Sequence, residues 1–215
     1  MRFEEVAARL GRLPDPLPRS PAALDPVVIA GRGGRPPRFP ATPPMRDAAG
    51  LVLLFPDTAG EAHLVLIRRP AGDYRHAGEV SLPGGALEPG DADLEAAALR
   101  EASEEVGLDP TAAGLRLMGR LGPVEVRVSG FRLVPVLALA ERAPRLRPDA
   151  REVAAILEPP VDLFLPAAPI EIVEADRGGW RLRYGAYPAE GLFVWGATAR
   201  VLGQLGAVLR RSPLT

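Results

Sequence analysis

Glu101, Glu104 and Glu105, in the run Arg100-Glu101-Ala102-Ser103-Glu104-Glu105, are the residues whose types and spacing best suit chemistry. On a helix that advances about 100° per residue they fall within an arc of roughly 100°, so three carboxylates share one face. Carboxylates held this closely repel one another and raise each other's pKa unless they are solvated or share a cation. Oxygen ligands select a hard divalent ion, Mg²⁺ or Mn²⁺, and Mg²⁺ in particular keeps waters and substrate phosphates among its ligands. A bare run of glutamates is equally well explained as a wet helix face, so the flanking residues decide. Upstream, Asp91 or Asp93 can cap a helix starting near Leu94, and Gly107 can stop it. Ala97, Ala98 and Ala102 keep that helix thin enough to lie close to a sheet. Pro83-Gly84-Gly85 breaks the strand before it, because glycine lets backbone approach another segment or a ligand.

What the chain lacks narrows the chemistry further. It contains no Lys, Cys or Asn, which removes a thiol nucleophile, a Schiff-base or Walker A lysine, a cysteine metal site, a disulfide and an N-glycosylation sequon. None of the serines lies in a G-x-S-x-G setting, and only His63 and His76 could serve a serine as base. Carboxylates and arginines must carry the reaction. With 26 basic and 27 acidic residues the formal charge is −1, so there is no basic field of the kind that binds nucleic-acid backbone. MRFEEVAARL is acidic where a signal peptide would be basic, and no stretch approaches the roughly 20 apolar residues of a membrane span. A soluble, cytoplasmic protein without nucleic-acid or membrane partners is expected.

The chain is long enough for one full core. Arg2 to Leu10 has helical spacing, and Leu13 to Pro44 is too rich in proline for regular structure of any length. Residues 1–45 therefore read as a helix and an arm that wraps the body or packs on a second subunit, which leaves a homodimer open. Residues 46–215 read as the main domain. Ala48 to Phe55 and His63 to Arg69 suit strands buried on both faces, joined by a turn at Asp57 to Glu61. Gly72 to Ala77 forms a loop carrying Arg75 and His76 toward the glutamates. Leu115 to Leu121, Val124 to Val128, Phe131 to Leu139, Glu152 to Leu157 and Trp180 to Tyr184 read as further strands. Pro159 to Leu165 reads as a short helical connection, and Trp195 to Leu209 as a helix. The fold class is α/β.

Read as GX5DX8REAXEEXGL from Gly85 to Leu108, the glutamate segment resembles the box that defines the Nudix hydrolases, which cleave nucleoside diphosphates linked to another group. The preceding stretch, LVLIRRPAGDYRHAGEVSLPGG, is similar to the extra motif of the coenzyme A pyrophosphatase branch through Arg68, Arg75, His76, Gly78, Glu79, Pro83, Gly84 and Gly85. Glu79 stands for the more usual Gln, Leu82 for Phe, and Asp91 for the usual box Glu. The box is one residue longer before Arg100 than the general pattern, as in that branch, and Val194 to Leu202 also resembles it.

The resemblance implies the Nudix fold, a mixed β-sheet sandwiched between α-helices, and a small-molecule nucleotide diphosphate as substrate. It implies Glu101 and Glu105 as metal ligands, Glu104 as a further ligand or the base, and Arg100 as the residue that orients a glutamate. Arg68, Arg69 and Arg75 are candidates for substrate phosphates, with His76, Gly84 and Gly85 beside them. Glu152 could add a carboxylate, although a strand-edge salt bridge is the plainer expectation. The narrower motif implies hydrolysis of coenzyme A or an acyl derivative to adenosine 3′,5′-bisphosphate and a phosphopantetheine. ADP-ribose, dinucleotides or nucleoside triphosphates are alternative substrates, and a binding module that has lost hydrolysis is the alternative class.

Overall fold

A computed structural model describes residues 1–31, 44–72, 77–127, 129–177, 180–189 and 191–210. Its centre is the pair β2 (Arg46–Pro56) and β9 (Phe131–Ala140), which run parallel in register from Arg46↔Phe131 to Leu54↔Leu139. Both are nearly unbroken apolar runs, as strands covered on both faces must be. Along β2, Ala49, Leu51, Leu53 and Phe55 point into one core, while Val52 and Leu54 point into the other. Around this pair, β3 (Ala62–Leu64) and β6 (Gly84–Ala86) bond to β2, and β7 (Leu115–Arg120) and β8 (Val124–Val126) bond to β9.

Helix α2 (Leu94–Val106) covers one face with Ala97, Ala98, Ala102 and Val106, all fully buried. Helix α4 (Gly196–Val208) covers the other with Val201, Leu202 and Leu205. Burying one such aliphatic side chain is worth about 1.5–3 kcal/mol, so α4 contributes more to cohesion than the alanine face of α2. Helix α1 (Phe3–Leu10) adds Val6 and Leu10 to the core on the α4 side.

The expected strand from His63 to Arg69 is two strands in two sheets. Val65 donates its N–H to the Leu53 carbonyl at 3.1 Å, and beyond it β4 (Leu66–Arg68) leaves β2. It lies instead between β5 (Val80–Ser81) and β10 (Ala155–Leu157) in a three-stranded sheet. The glycine turn differs too. Pro83 does end β5, but Gly84–Ala86 goes on to pair with Ala48–Gly50 as β6.

A third sheet, absent from the expectations apart from its Trp180 to Tyr184 portion, is built on β12 (Trp180–Ala189). This strand pairs with β1 (Val27–Ala30), β11 (Glu171–Arg177) and β13 (Leu192–Trp195). The proline-rich segment therefore does contain short regular pieces, a 3-10 turn at Ala22–Leu24 and β1, and Leu24 is fully buried. Among the described residues no helix is long and apolar enough to cross a membrane.

Candidate active site

The site begins with the capping of α2. Asp93 is the N-cap and accepts the Ala96 N–H at 2.8 Å, and Gly107 closes the helix with φ 64°. Between these ends the alanine face lies on β2, β6 and β9, which brings the carboxylate face to the edge where β6 begins. The close approach needs Gly84, where a Cβ would stand 2.2 Å from the Ala49 carbonyl; a Cβ on Gly85 would stand 2.3 Å from the Glu101 carboxylate and displace it.

The three glutamates occupy graded environments. Glu104 has 60 % of its side chain exposed, Glu101 15 % and Glu105 2 %. Glu105 turns inward, where its carboxylate accepts the Gly84 N–H at 2.9 Å. Among the described residues the Arg69 guanidinium is the cation paired with it, 3.9 Å away. Burial pushes the Glu105 carboxyl up to about 7; the Gly84 N–H and Arg69 oppose that rise, and the charges of Glu101 and Glu152 reinforce it. Glu101 is also raised, first by burial and then by Glu104 and Glu152, against the pull of Arg100.

Arg100 is locked in place by Asp91. Its Nε and Nη2 donate to the two Asp91 oxygens at 3.0 and 3.1 Å, and Nη2 also reaches the Ala86 carbonyl at 3.2 Å. The remaining nitrogen, Nη1, donates to Glu101 at 2.9 Å and Glu104 at 3.1 Å. Asp91, considered in the sequence as a cap, is therefore the anchor of Arg100, whose hydrogen bonds hold its carboxyl below the usual range. Arg100 therefore bonds to two of the three glutamates as well as to its anchor Asp91.

Glu152 differs from expectation. It makes no ion pair among the described residues and lies ahead of β10, where its charge acts on both Glu101 and Glu105. It is brought there by backbone bonds far apart in sequence: Arg147 N–H to the Val106 carbonyl at 2.8 Å, Asp149 N–H to Glu105 at 2.9 Å, and Ala154 N–H to Arg68 at 2.8 Å. No local pattern could have signalled that docking.

The other expected substrate residues are placed apart from one another. Arg69 faces Glu105, whereas its neighbour Arg68 donates to the Gly191 carbonyl across a cleft of about 500 Å³. None of the three glutamates lines that cleft. Arg75 and His76 lie outside the described residues. His63 Nδ1 donates to the Glu158 carbonyl at 2.7 Å, and its Nε2 lies 3.6 Å from Asp57, a structural setting.

The donor set fits a hard divalent cation. Glu101, Glu104, Glu105 and Glu152 offer oxygen only, and among the described residues the nearby positive charge is Arg100, which also serves Asp91, and Arg69. Among the described residues no three acidic or histidine side chains are arranged to hold a metal ion by themselves, so waters and substrate oxygens would have to complete its shell. An open set of this kind suits Mg²⁺, which completes its shell with waters and substrate phosphates.

A model of the NUDIX domain matches residues 44–175. The chain is 32 % identical over 197 residues to an uncharacterized Nudix hydrolase, NudL, of Pectobacterium atrosepticum, covering 92 % of this chain and 100 % of the relative. It is 37 % identical over 150 residues to the uncharacterized NudL of Salmonella newport, covering 70 % of this chain and 77 % of that one. The crystal structure of RenU, a Nudix hydrolase from M. smegmatis, is 28 % identical with a TM-score of 0.46, covering 63 % of this chain and 80 % of that structure.

Proposed function

Because this chain belongs to the Nudix family of hydrolases, we propose that it cleaves the diphosphate of coenzyme A or an acyl derivative in a reaction dependent on Mg²⁺ or Mn²⁺. The observation that carries the reading is the α2 carboxylate face, with Glu105 held nearly dehydrated against the Gly84 N–H and the Glu101 carboxylate against Gly85. A buried carboxyl raised to about 7 costs stability above that pH, and a cation among the glutamates offsets the cost.

Glu101 and Glu105 would hold the cation, with Glu152 close enough in charge to assist. When bound, the metal neutralises phosphate oxygens and makes a water more acidic. Glu104, the most exposed of the three and already oriented by Arg100, accepts the proton of the attacking water. Arg100 keeps Glu101 and Glu104 aimed; with Asp91 and the Ala86 carbonyl occupying two of its nitrogens, it is a positioning residue. Arg69, about a third exposed beside Glu105, is placed to meet a substrate phosphate with its guanidinium.

The coenzyme A assignment is supported by the motif from Arg68 to Gly85. It is tested by measuring product release from coenzyme A, ADP-ribose, a dinucleotide and a nucleoside triphosphate, with Mg²⁺ and with a chelator. Coenzyme A should give the highest kcat/KM, and the chelator should abolish turnover. Faster cleavage of ADP-ribose would move the chain to another substrate, binding without hydrolysis would make it a non-hydrolytic module, and full activity without metal would remove the carboxylate mechanism.

A further inference from the structure

The cleft beside Arg68 has no part in the chemistry described so far. One wall is the segment Ala77 to Val80 with Arg68; the other is the hairpin of β12 and β13, contributing Pro188, Leu192, Phe193 and Trp195. Its volume, about 500 Å³, lies within the ordinary range for small-molecule sites. Along β13, Leu192 and Val194 turn into the core, so Phe193 and Trp195 stand on the opposite face, and Phe193 is 39 % exposed. Phe193 thus puts an aromatic ring in the wall of a concave site, the lining that small-molecule pockets use.

The two walls come from different sheets. β5 bonds to β4 and β13 bonds to β12, and the two strands approach each other without pairing among the described residues. Each therefore keeps a strand edge on the side away from its partner. Strand edges recognise extended chains that carry amides, through main-chain hydrogen bonds, while side-chain pockets take the aliphatic parts. A flat base is less well served: Trp195 already lies against Tyr184 with ring centroids 4.7 Å apart, leaving Phe193 as the exposed ring.

The cleft is also joined to the glutamates by chain. Arg68 faces the cleft and the next residue, Arg69, faces Glu105. Val80 lines the cleft, and Gly84, four residues on, donates to Glu105. Four residues of extended chain span at most ~14 Å. A pantetheine arm, aliphatic carbons interrupted by two amides, contains about as many backbone bonds as four residues and so has roughly that reach.

We propose that the cleft between the Ala77–Val80 segment and the β12–β13 hairpin binds the amide-bearing aliphatic arm of the diphosphate substrate, with Phe193 as its main apolar contact. This rests on the coenzyme A reading for the identity of the arm. The diphosphate then lies between Arg69 and the glutamates, the arm crosses β5, and its far end meets Phe193. Phe193 sets specificity and takes no part in bond cleavage.

The test uses the full chain and two readouts. Phe193→Ala should lower the ratio of kcat/KM for coenzyme A over ADP-ribose by about tenfold, through KM, because the lost contact serves ground and transition states alike. Ala189→Trp, which fills the cleft from the same hairpin, should lower the ratio in the same way. Independently of turnover, calorimetric binding of 4′-phosphopantetheine should weaken about tenfold in Phe193→Ala, while binding of adenosine 3′,5′-bisphosphate stays the same. If the wild type cleaves ADP-ribose and ignores coenzyme A yet still binds 4′-phosphopantetheine through Phe193, the substrate reading fails and the cleft assignment stands. Unchanged 4′-phosphopantetheine binding in both variants, or weakened binding of the adenosine bisphosphate instead, overturns the cleft assignment.

Discussion

Two thirteen-residue helices lie on opposite faces of the β2–β9 sheet, and they do opposite work. α4 packs Val201, Leu202 and Leu205 against the sheet and carries no acidic residue in its first turn. α2 presents alanines to the sheet and buries a glutamate, Glu105, whose carboxyl is pushed up to about 7. The contrast separates cohesion from chemistry. Leucine and valine side chains fill space at good density, whereas the alanine face of α2 brings carboxylates against Gly84 and Gly85, at the expense of packing energy.

The contrast can be broken first on the α4 side. Leu205 is fully buried, so Leu205→Ala should cost about 2–5 kcal/mol of unfolding free energy, read from denaturant or thermal curves. Turnover per folded molecule should stay close to normal below the transition. A variant that keeps its stability but loses turnover would show that α4 is tied to the site after all.

The converse holds for α2. Glu105→Gln preserves shape and the acceptor for the Gly84 N–H while removing the carboxylate charge proposed to hold the cation. It should reduce turnover at least a hundredfold, about 2.7 kcal/mol of transition-state stabilisation, with the fold intact by circular dichroism. Near-normal turnover would return Glu105 to a purely structural role.

The same contrast explains what could be read from the sequence. α2 was legible because Asp93, Gly107 and the alanine face are local signals, and all three hold in the structure. β2 and β9 were legible because a strand buried on both faces must be continuously apolar. The break at Val65 was not, since it depends on where β10 and β5 offer new partners rather than on any breaker residue. β11 was missed because Glu171–Arg177 mixes apolar and charged residues without strict alternation, a weak pattern beside the two central strands. Within the site, the glutamates were found by helical spacing. The Asp91 anchor of Arg100 and the approach of Glu152 were not, because both are set by loops returning to the helix from outside it.

A third test isolates the central claim, that α2 holds Glu105 at a cost to stability in order to bind a cation. The folded-state pKa of Glu105 is raised from 4.5 to about 7, so its cost is absent below pH 4.5, grows as pH rises between these values, and is fully present above about 7. At that point it is on the order of 3 kcal/mol. Melting temperatures of the wild type and Glu105→Gln, each in chelator and in Mg²⁺ at pH 5 and pH 8, measure this directly. In chelator at pH 8 the Gln variant should melt several degrees higher, and that advantage should vanish at pH 5. Adding Mg²⁺ at pH 8 should raise the wild type and leave the variant nearly where it was. Equal Mg²⁺ shifts in the two proteins, or a Gln variant no more stable than the wild type in chelator at pH 8, would contradict the account.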